Sequence, residues 1–151
     1  MTQHWLFKTE PDAYSIDDLK REKRGSWDGI RNYQARNRLR DEIKIGDLVL
    51  IYHSSCAVPA VVGLAKVVSA AKVDPSQFQP SSPYFDAKST AAKPRWVMLD
   101  IAWQETFTQP LSLKAIKQDP IFADMELVSR GRLSIQQVPP DCFDEILRRC
   151  R

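Results

Sequence analysis

WDGIRNYQARNRLRDEIKIGDLVLIYHSS, Trp27 to Ser55, is the stretch on which the fold turns. It opens on Trp27, set between Gly25-Ser26 and Asp28-Gly29, which is turn chemistry with no packing mass of its own. Loops on a rigid scaffold commonly carry binding groups, so Trp27 reads as a ligand-facing aromatic in a loop. Asn32 is a good helix N-cap and predicts a basic helix from Tyr33 to Glu42. Ala35, Leu39 and Ile43 recur three or four apart and give that helix one apolar face. Arg36 and Arg40 lie four apart on another face, equally open to solvent or to phosphate. Gly46-Asp47 then turns the chain into an apolar strand, Leu48 to Tyr52, which stops at His53, Ser54 and Ser55. An aromatic, an Arg/Asn cluster and a polar strand end in one stretch suit a pocket that stacks a flat, polar-edged ligand.

Upstream, His4 to Thr9 reads as a strand whose run Trp5-Leu6-Phe7 predicts burial on both faces. Glu10-Pro11 ends it. Lys8-Thr9-Glu10 closes the strand with both signs of charge, as an ion pair or as the polar floor of a ligand site. Ser15 and Asp18 have capping-box spacing and predict a short helix from Ile16 to Lys23.

Downstream, Val61 to Val68 reads as a central strand in which Gly63 marks a bulge or a close backbone approach. Ser69 to Pro94 is rich in Pro, Ser and Ala, a long irregular connection of the kind that is often functional. Arg95 to Phe107 is the longest strand candidate, with Val97, Leu99 and Ile101 on one face. Ser112 caps a short helix from Leu113 to Lys117. Leu127 to Gln137 ends in a strand with Ser134 and Gln136 on one face and Leu133 and Ile135 on the other. Arg130-Gly131-Arg132 sets two guanidiniums around a flexible glycine, suited to phosphate, to a base edge or to a surface salt bridge. Pro139-Pro140 opens a terminal helix with Phe143, Ile146 and Leu147 as its stripe.

A chain of 151 residues with mixed strand and helix order predicts one α+β domain, residues 1–151, built on a curved sheet or small barrel. The net charge of +3 only weakly favours an acidic partner. No run approaches the ~20 apolar residues of a membrane span, and MTQHWLFKTEP does not read as a secretory signal. Cys56, Cys142 and Cys150 lack CxxC spacing and read as free thiols, which predicts a cytoplasmic, monomeric protein. Two histidines without ligand spacing leave little material for a metal site, and no cofactor is expected. No GxSxG, HExxH or Walker loop appears, so catalysis is not expected.

Several ordered motifs together resemble the EVE-domain family over nearly the whole chain: WLFKTEP at Trp5–Pro11, WDGIRNYQARN at Trp27–Asn37 and IGDLVLIYHS at Ile45–Ser54. YFDAKS at Tyr84–Ser89, PRWVMLDI at Pro94–Ile101 and LVSRGRLSIQQV at Leu127–Val138 complete the pattern. Ala87 stands where the family pattern has Pro, a change that touches only local loop shape. The resemblance implies a PUA-like fold, similar also to YTH domains: a strongly bent sheet or pseudo-barrel flanked by helices. It implies a pocket for a modified base in DNA or RNA, either flipped or single-stranded, with no chemistry done on it.

On that resemblance, the base stacks on Trp27, with Tyr33 or Tyr84 as a second aromatic. Asn32, Ser54, Ser134 and Gln136 hydrogen-bond its edge, and Lys8, Arg31, Arg130 and Arg132 hold phosphate or polar substituents. His53 stands at the same strand end. An alternative is a small hydrolase or nuclease acting on RNA or a modified nucleoside, with His53 or Lys8 as the base. A third is a protein-interaction module whose pocket is incidental.

Overall fold

One strand, Val97–Ser112, is the spine of the computed structural model, which describes residues 2–151. In chain order the elements are β1 (His4–Thr9), α1 (Ile16–Glu22), β2 (Arg24–Trp27) and α2 (Tyr33–Asn37). β3 (Leu48–His53), β4 (Ala60–Val67), β5 (Lys72–Val73) and the spine, β6, follow. α3 (Leu113–Gln118), α4 (Glu126–Ser129), β7 (Ile135–Gln137) and α5 (Pro140–Cys150) complete the chain. The strand order is β2-β6-β4-β3-β1-β7, with β5 also on β6. Among the described residues only β1 and β3 pair in parallel, from His4 opposite Leu48 to Thr9 opposite His53. A parallel pair needs a long crossover, and α1, β2 and α2 supply it.

The sheet is mixed and curls because β6 serves different partners along its length, β2 and β5 near its start and β4 beyond. Two register shifts in the β4–β6 ladder, at Val61/Gly63 and Leu64/Ala65, add bend and twist. Gly63 is required there: a Cβ would stand 2.5 Å from Ile16 Cδ1 and 2.8 Å from the Glu105 carbonyl oxygen. The missing side chain lets α1 settle onto the sheet.

Apolar side chains fill both faces. Trp5 and Phe7 join one core with Trp27, Leu39, Val49 and Leu99. Leu6, between them, faces the other, with Leu50, Phe107, Phe122 and Phe143. This is the two-faced burial that the Trp5-Leu6-Phe7 run predicts. α1 begins as its sequence dictates, with the Ser15 hydroxyl accepting from Asp18 N and the Asp18 carboxylate accepting from Ser15 N. Asp47, buried, accepts from Trp5 Nε1 at 2.9 Å and from Lys44 N at 3.0 Å, locking the Gly46-Asp47 turn to β1.

The structure corrects three expectations. The helix predicted for Tyr33–Glu42 is α-helical only to Asn37 and continues as a π turn, Arg38–Glu42. Arg38 accounts for the position of that turn, since its guanidinium clasps Glu126 at 2.6 and 2.8 Å and donates to the Ile135 carbonyl. The strand expected from Arg95 to Phe107 starts at Val97 and runs on to Ser112. Trp27 is not in a loop: it is the last residue of β2, opposite Leu99, and only 7% exposed.

Candidate functional site

A cavity of about 620 Å³ opens where β1 and β2 end, within the usual range of ~300–1,000 Å³ for ligand sites. β1 contributes Lys8 and Thr9, and the following turn contributes Glu10, Ala13 and Tyr14. Gly25, Ser26 and Trp27 come from β2 and Glu22 from α1. The loop from Asp28 to Asn32, Tyr84 from the long connection, and Ser134 before β7 close the ring.

The aromatic wall is layered. Trp27 packs on Phe7 with ring centroids 5.7 Å apart, and Tyr14 meets it edge-on at 5.9 Å. Trp27 therefore packs in the core and also lines the cavity. The Tyr14 hydroxyl donates to Glu22 at 2.6 Å. Burial, then the Glu22 hydrogen bond and charge, push its pKa well above the usual phenol value. Tyr84 is 41% exposed, and its ring lies over Gly29: a Cβ there would come within 2.7 Å of the ring. Gly29 also has φ +74°, a left-handed conformation that glycine adopts without strain.

The polar groups divide into spent and free. Arg31 lines the cavity but is spent, donating to Tyr84 O, Ile30 O, Asp74 and Ser76 at 2.9 to 3.1 Å. It also stacks between Tyr84 and Trp96, at 5.6 and 5.4 Å from their ring centroids. These contacts fix the loop and take up most of its donors. Thr9 Oγ1 donates to Tyr14 O at 2.7 Å and Ser26 Oγ to Asp100 at 2.7 Å. Asn32 Oδ1 caps α2 through Ala35 N at 3.0 Å, which leaves its Nδ2 group for a ligand. Lys8 Nζ donates to the Gly131 carbonyl and keeps further protons, and burial lowers its pKa. Ser134 holds the backbone of β1 through Lys8 N at 3.0 Å while its residue lines the cavity.

Six residues expected at the site, Lys8, Trp27, Arg31, Asn32, Tyr84 and Ser134, therefore converge on this cavity. Arg130 and Arg132 line a neighbouring recess of about 390 Å³ that shares Asn32 with the first. Arg130 is partly committed to Gln34 and lies 3.7 Å from Glu126. Four expected residues lie outside the cavity lining. Tyr33 stacks on Trp96 at 4.8 Å under Arg36. His53 Nε2 accepts from Ile16 N at 3.0 Å, so it serves the start of α1. Ser54 N–H donates to Thr9 O, extending the parallel ladder. Gln136 is 1% exposed and spends its amide on the Arg130 and Leu133 carbonyls at 3.1 and 3.0 Å. The Arg36/Arg40 stripe is also inward or locally paired, Arg36 to the Arg95 carbonyl and Arg40 to Asp41.

Tyr14, Glu22 and Asp28 were not anticipated. Tyr14 precedes the Ser15 cap, a position from which a side chain often packs back on the chain entering a helix. Asp28 lies between Trp27 and the positive-φ Gly29, so the aromatic and the carboxylate are presented by one rigid turn.

The EVE domain family matches residues 3–149, and the chain belongs to that family. Human thymocyte nuclear protein 1 is 35% identical over 167 residues, covering 97% of this chain and 73% of that protein. A crystal structure of a Pseudomonas syringae protein is 43% identical, with a TM-score of 0.92 over 96% of this chain and 97% of its own. Human THYN1, solved in complex with 5-methylcytosine-containing DNA, is 35% identical with a TM-score of 0.92, over 97% and 96% of the two chains. Among the described residues no helix is long and apolar enough to cross a membrane.

Proposed function

We propose that the chain binds DNA carrying a modified base and holds that base in the cavity at the ends of β1 and β2, without altering it. One observation carries this reading. The cavity, with its aromatic wall and its uncommitted Asn32 and Lys8 donors, sits on a fold matched nearly end to end by human THYN1 in complex with 5-methylcytosine-containing DNA. A flat base would stack on the aromatic lining, Trp27 and Tyr84, where stacking contributes about 1–3 kcal/mol. To enter, the base leaves its stack or comes from a single strand. Arg132, which lines the second recess, is assigned to the flanking phosphate in this reading. We favour DNA over RNA because the THYN1 complex contains DNA.

Of the two base candidates for turnover, His53 is committed to the fold. His53, one base candidate for a hydrolase, is outside the cavity lining and already accepts from Ile16 N. Burial pushes its pKa down, and the neutral ring it favours is the form that accepts this bond. Lys8, the other, lines the cavity and donates to the Gly131 carbonyl, and mass spectrometry of the recovered strand tests it as a base. The free cysteines accord with a reducing compartment, and the reading needs only one copy of the chain per base. The test is equilibrium titration of the pure protein with DNA and RNA oligonucleotides that differ by one modification, followed by mass spectrometry of the recovered strand. Selective binding with the strand intact supports a reader; a changed strand supports an enzyme.

A further inference from the structure

We infer that Asp28 accepts a hydrogen bond from the exocyclic amino group of the held base, so that the cavity selects cytosine-type bases over 4-oxo pyrimidines. This rests on the reading that the cavity holds a base. Asp28 lines the cavity, and among the described residues its carboxylate has no ion pair and no side-chain hydrogen bond. The lining carboxylate of Glu22 is occupied by the Tyr14 hydroxyl, and nearby Asp74 is saturated by Gly29, Ser76 and Arg31. Glu10 also lines the cavity without a side-chain partner, but it follows β1 and is not held in the Trp27–Gly29 turn, so it serves as the control carboxylate. Asp28 is held at both flanks. Trp27 is pinned in β2 opposite Leu99, and the Gly29 N–H donates to buried Asp74 at 2.9 Å. A rigid turn thus presents an exposed carboxylate that no other side chain occupies. Loss of surrounding water, and then the Asp74 charge, push its carboxyl up, and Arg31 opposes the shift.

The chemistry of the edge decides the class of base. An ionised carboxylate only accepts. Cytosine offers a 4-amino donor to it, whereas thymine and uracil offer an acceptor oxygen. Holding a 4-oxo base against Asp28 would bury two acceptors face to face, with both unpaired. The free donors, Asn32 Nδ2 and the remaining Lys8 protons, suit the ring acceptors that cytosine presents beside its amino group. Thymine carries the same 5-methyl group as 5-methylcytosine. A methyl-sized hollow therefore cannot separate the two, and a reader of 5-methylcytosine needs an acceptor of this kind to reject thymine.

The test uses three single-stranded oligonucleotides, identical but for one 5-methylcytosine, thymine or cytosine, so that base-pair opening does not enter. Wild-type protein should bind the 5-methylcytosine strand at least about tenfold more tightly than the thymine strand. Asp28→Asn places a donor in the same position and should bring that ratio close to one. Asp28→Ser, with folding checked by its melting midpoint, should weaken 5-methylcytosine binding about tenfold and strengthen thymine binding, because the opposed acceptor is gone. Wild type that prefers both methylated bases over cytosine but not one over the other overturns the role of Asp28 and leaves the base-binding reading standing. An unchanged ratio in Asp28→Asn, or a ratio that moves with Glu10→Gln instead, also overturns it. Wild type that binds none of the three strands rejects the base-binding reading itself, and the inference with it.

Discussion

Arg31 closes over Asp74, its Nη1 3.1 Å from the Oδ2 of a carboxylate with no solvent exposure. The same carboxylate accepts from Gly29 N at 2.9 Å and from Ser76 N and Oγ at 2.8 and 2.6 Å. One buried acid thereby ties the Trp27–Asn32 turn to the connection that carries Tyr84. Burial raises its pKa, but the Ser76, Gly29 and Arg31 donors outweigh burial and hold the carboxyl below its usual range.

Asp74→Ala should cost about 3 kcal/mol of stability, because it leaves a half-buried guanidinium and the Gly29 N–H without their acceptor. The sign of the pH dependence follows from a depressed carboxyl. Its contribution is complete above the unfolded value of about 3.9 and is lost as pH falls through the folded pKa. Urea unfolding of wild type and variant from pH 2 to pH 7 should show the gap between them narrowing only in that acid range.

Trp27→Ala should cost about 3–5 kcal/mol of stability, since the indole is buried against Phe7 and Tyr14. Affinity falls as well, because the residue also lines the cavity. Calorimetric melting of the variant checks this, and a midpoint equal to that of wild type would place the indole outside the core.

Burial lowers the pKa of His53, while Asp17 opposes the shift weakly. The unfolded chain takes up a proton near pH 6.5, before the native chain does. Stability should therefore be complete above about pH 6.5 and decline as pH falls toward the lower folded value. His53→Ala should remove this slope and cost about 1 kcal/mol through the lost acceptor for Ile16 N. Unfolding free energies from pH 5 to pH 8 decide it.

Much of the fold was legible because its signals are local. The Ser15–Asp18 capping box, the Asn32 cap, the Gly46-Asp47 turn and the Pro140 helix start all lie where short-range chemistry puts them. Trp27 was misread because its neighbours in sequence are small while its packing partners, Phe7 and Tyr14, lie far back in the chain. β2 is four residues long and includes Gly25, so no alternation announces it. Site residues at element ends, Lys8, Asn32 and Ser134, were legible for the same local reason. Arg31 and Gln136 have the residue types of ligand contacts, and only the fold shows their donors turned inward. The Pro- and Ser-rich connection hid a buried polar knot, in which Gln77 takes up Ser89 and Trp96 through contacts 12 and 19 residues away.

Arg132 lines the second recess, with no ion pair among the described residues. If it meets a phosphate, Arg132→Ala should reduce the log–log salt slope of DNA binding by about 1. Arg130, partly neutralised by Glu126, should change the slope less. Binding isotherms across a salt series separate the two.

The most direct test of the central claim is the affinity of wild type and Tyr84→Ala for two DNA strands that differ by one 5-methyl group on cytosine. Tyr84 is 41% exposed but packs over Gly29 and against Arg31, so its truncation should cost about 1 kcal/mol of stability, which its melting midpoint reports separately from binding. Wild type should bind the methylated strand about fourfold or more tightly than the unmethylated one, as burial of a methyl group allows. Tyr84→Ala should lose roughly tenfold to a hundredfold in affinity for the methylated strand. Equal affinity of wild type for both strands, with Tyr84→Ala binding as wild type does, would contradict the assignment of this cavity to a modified base.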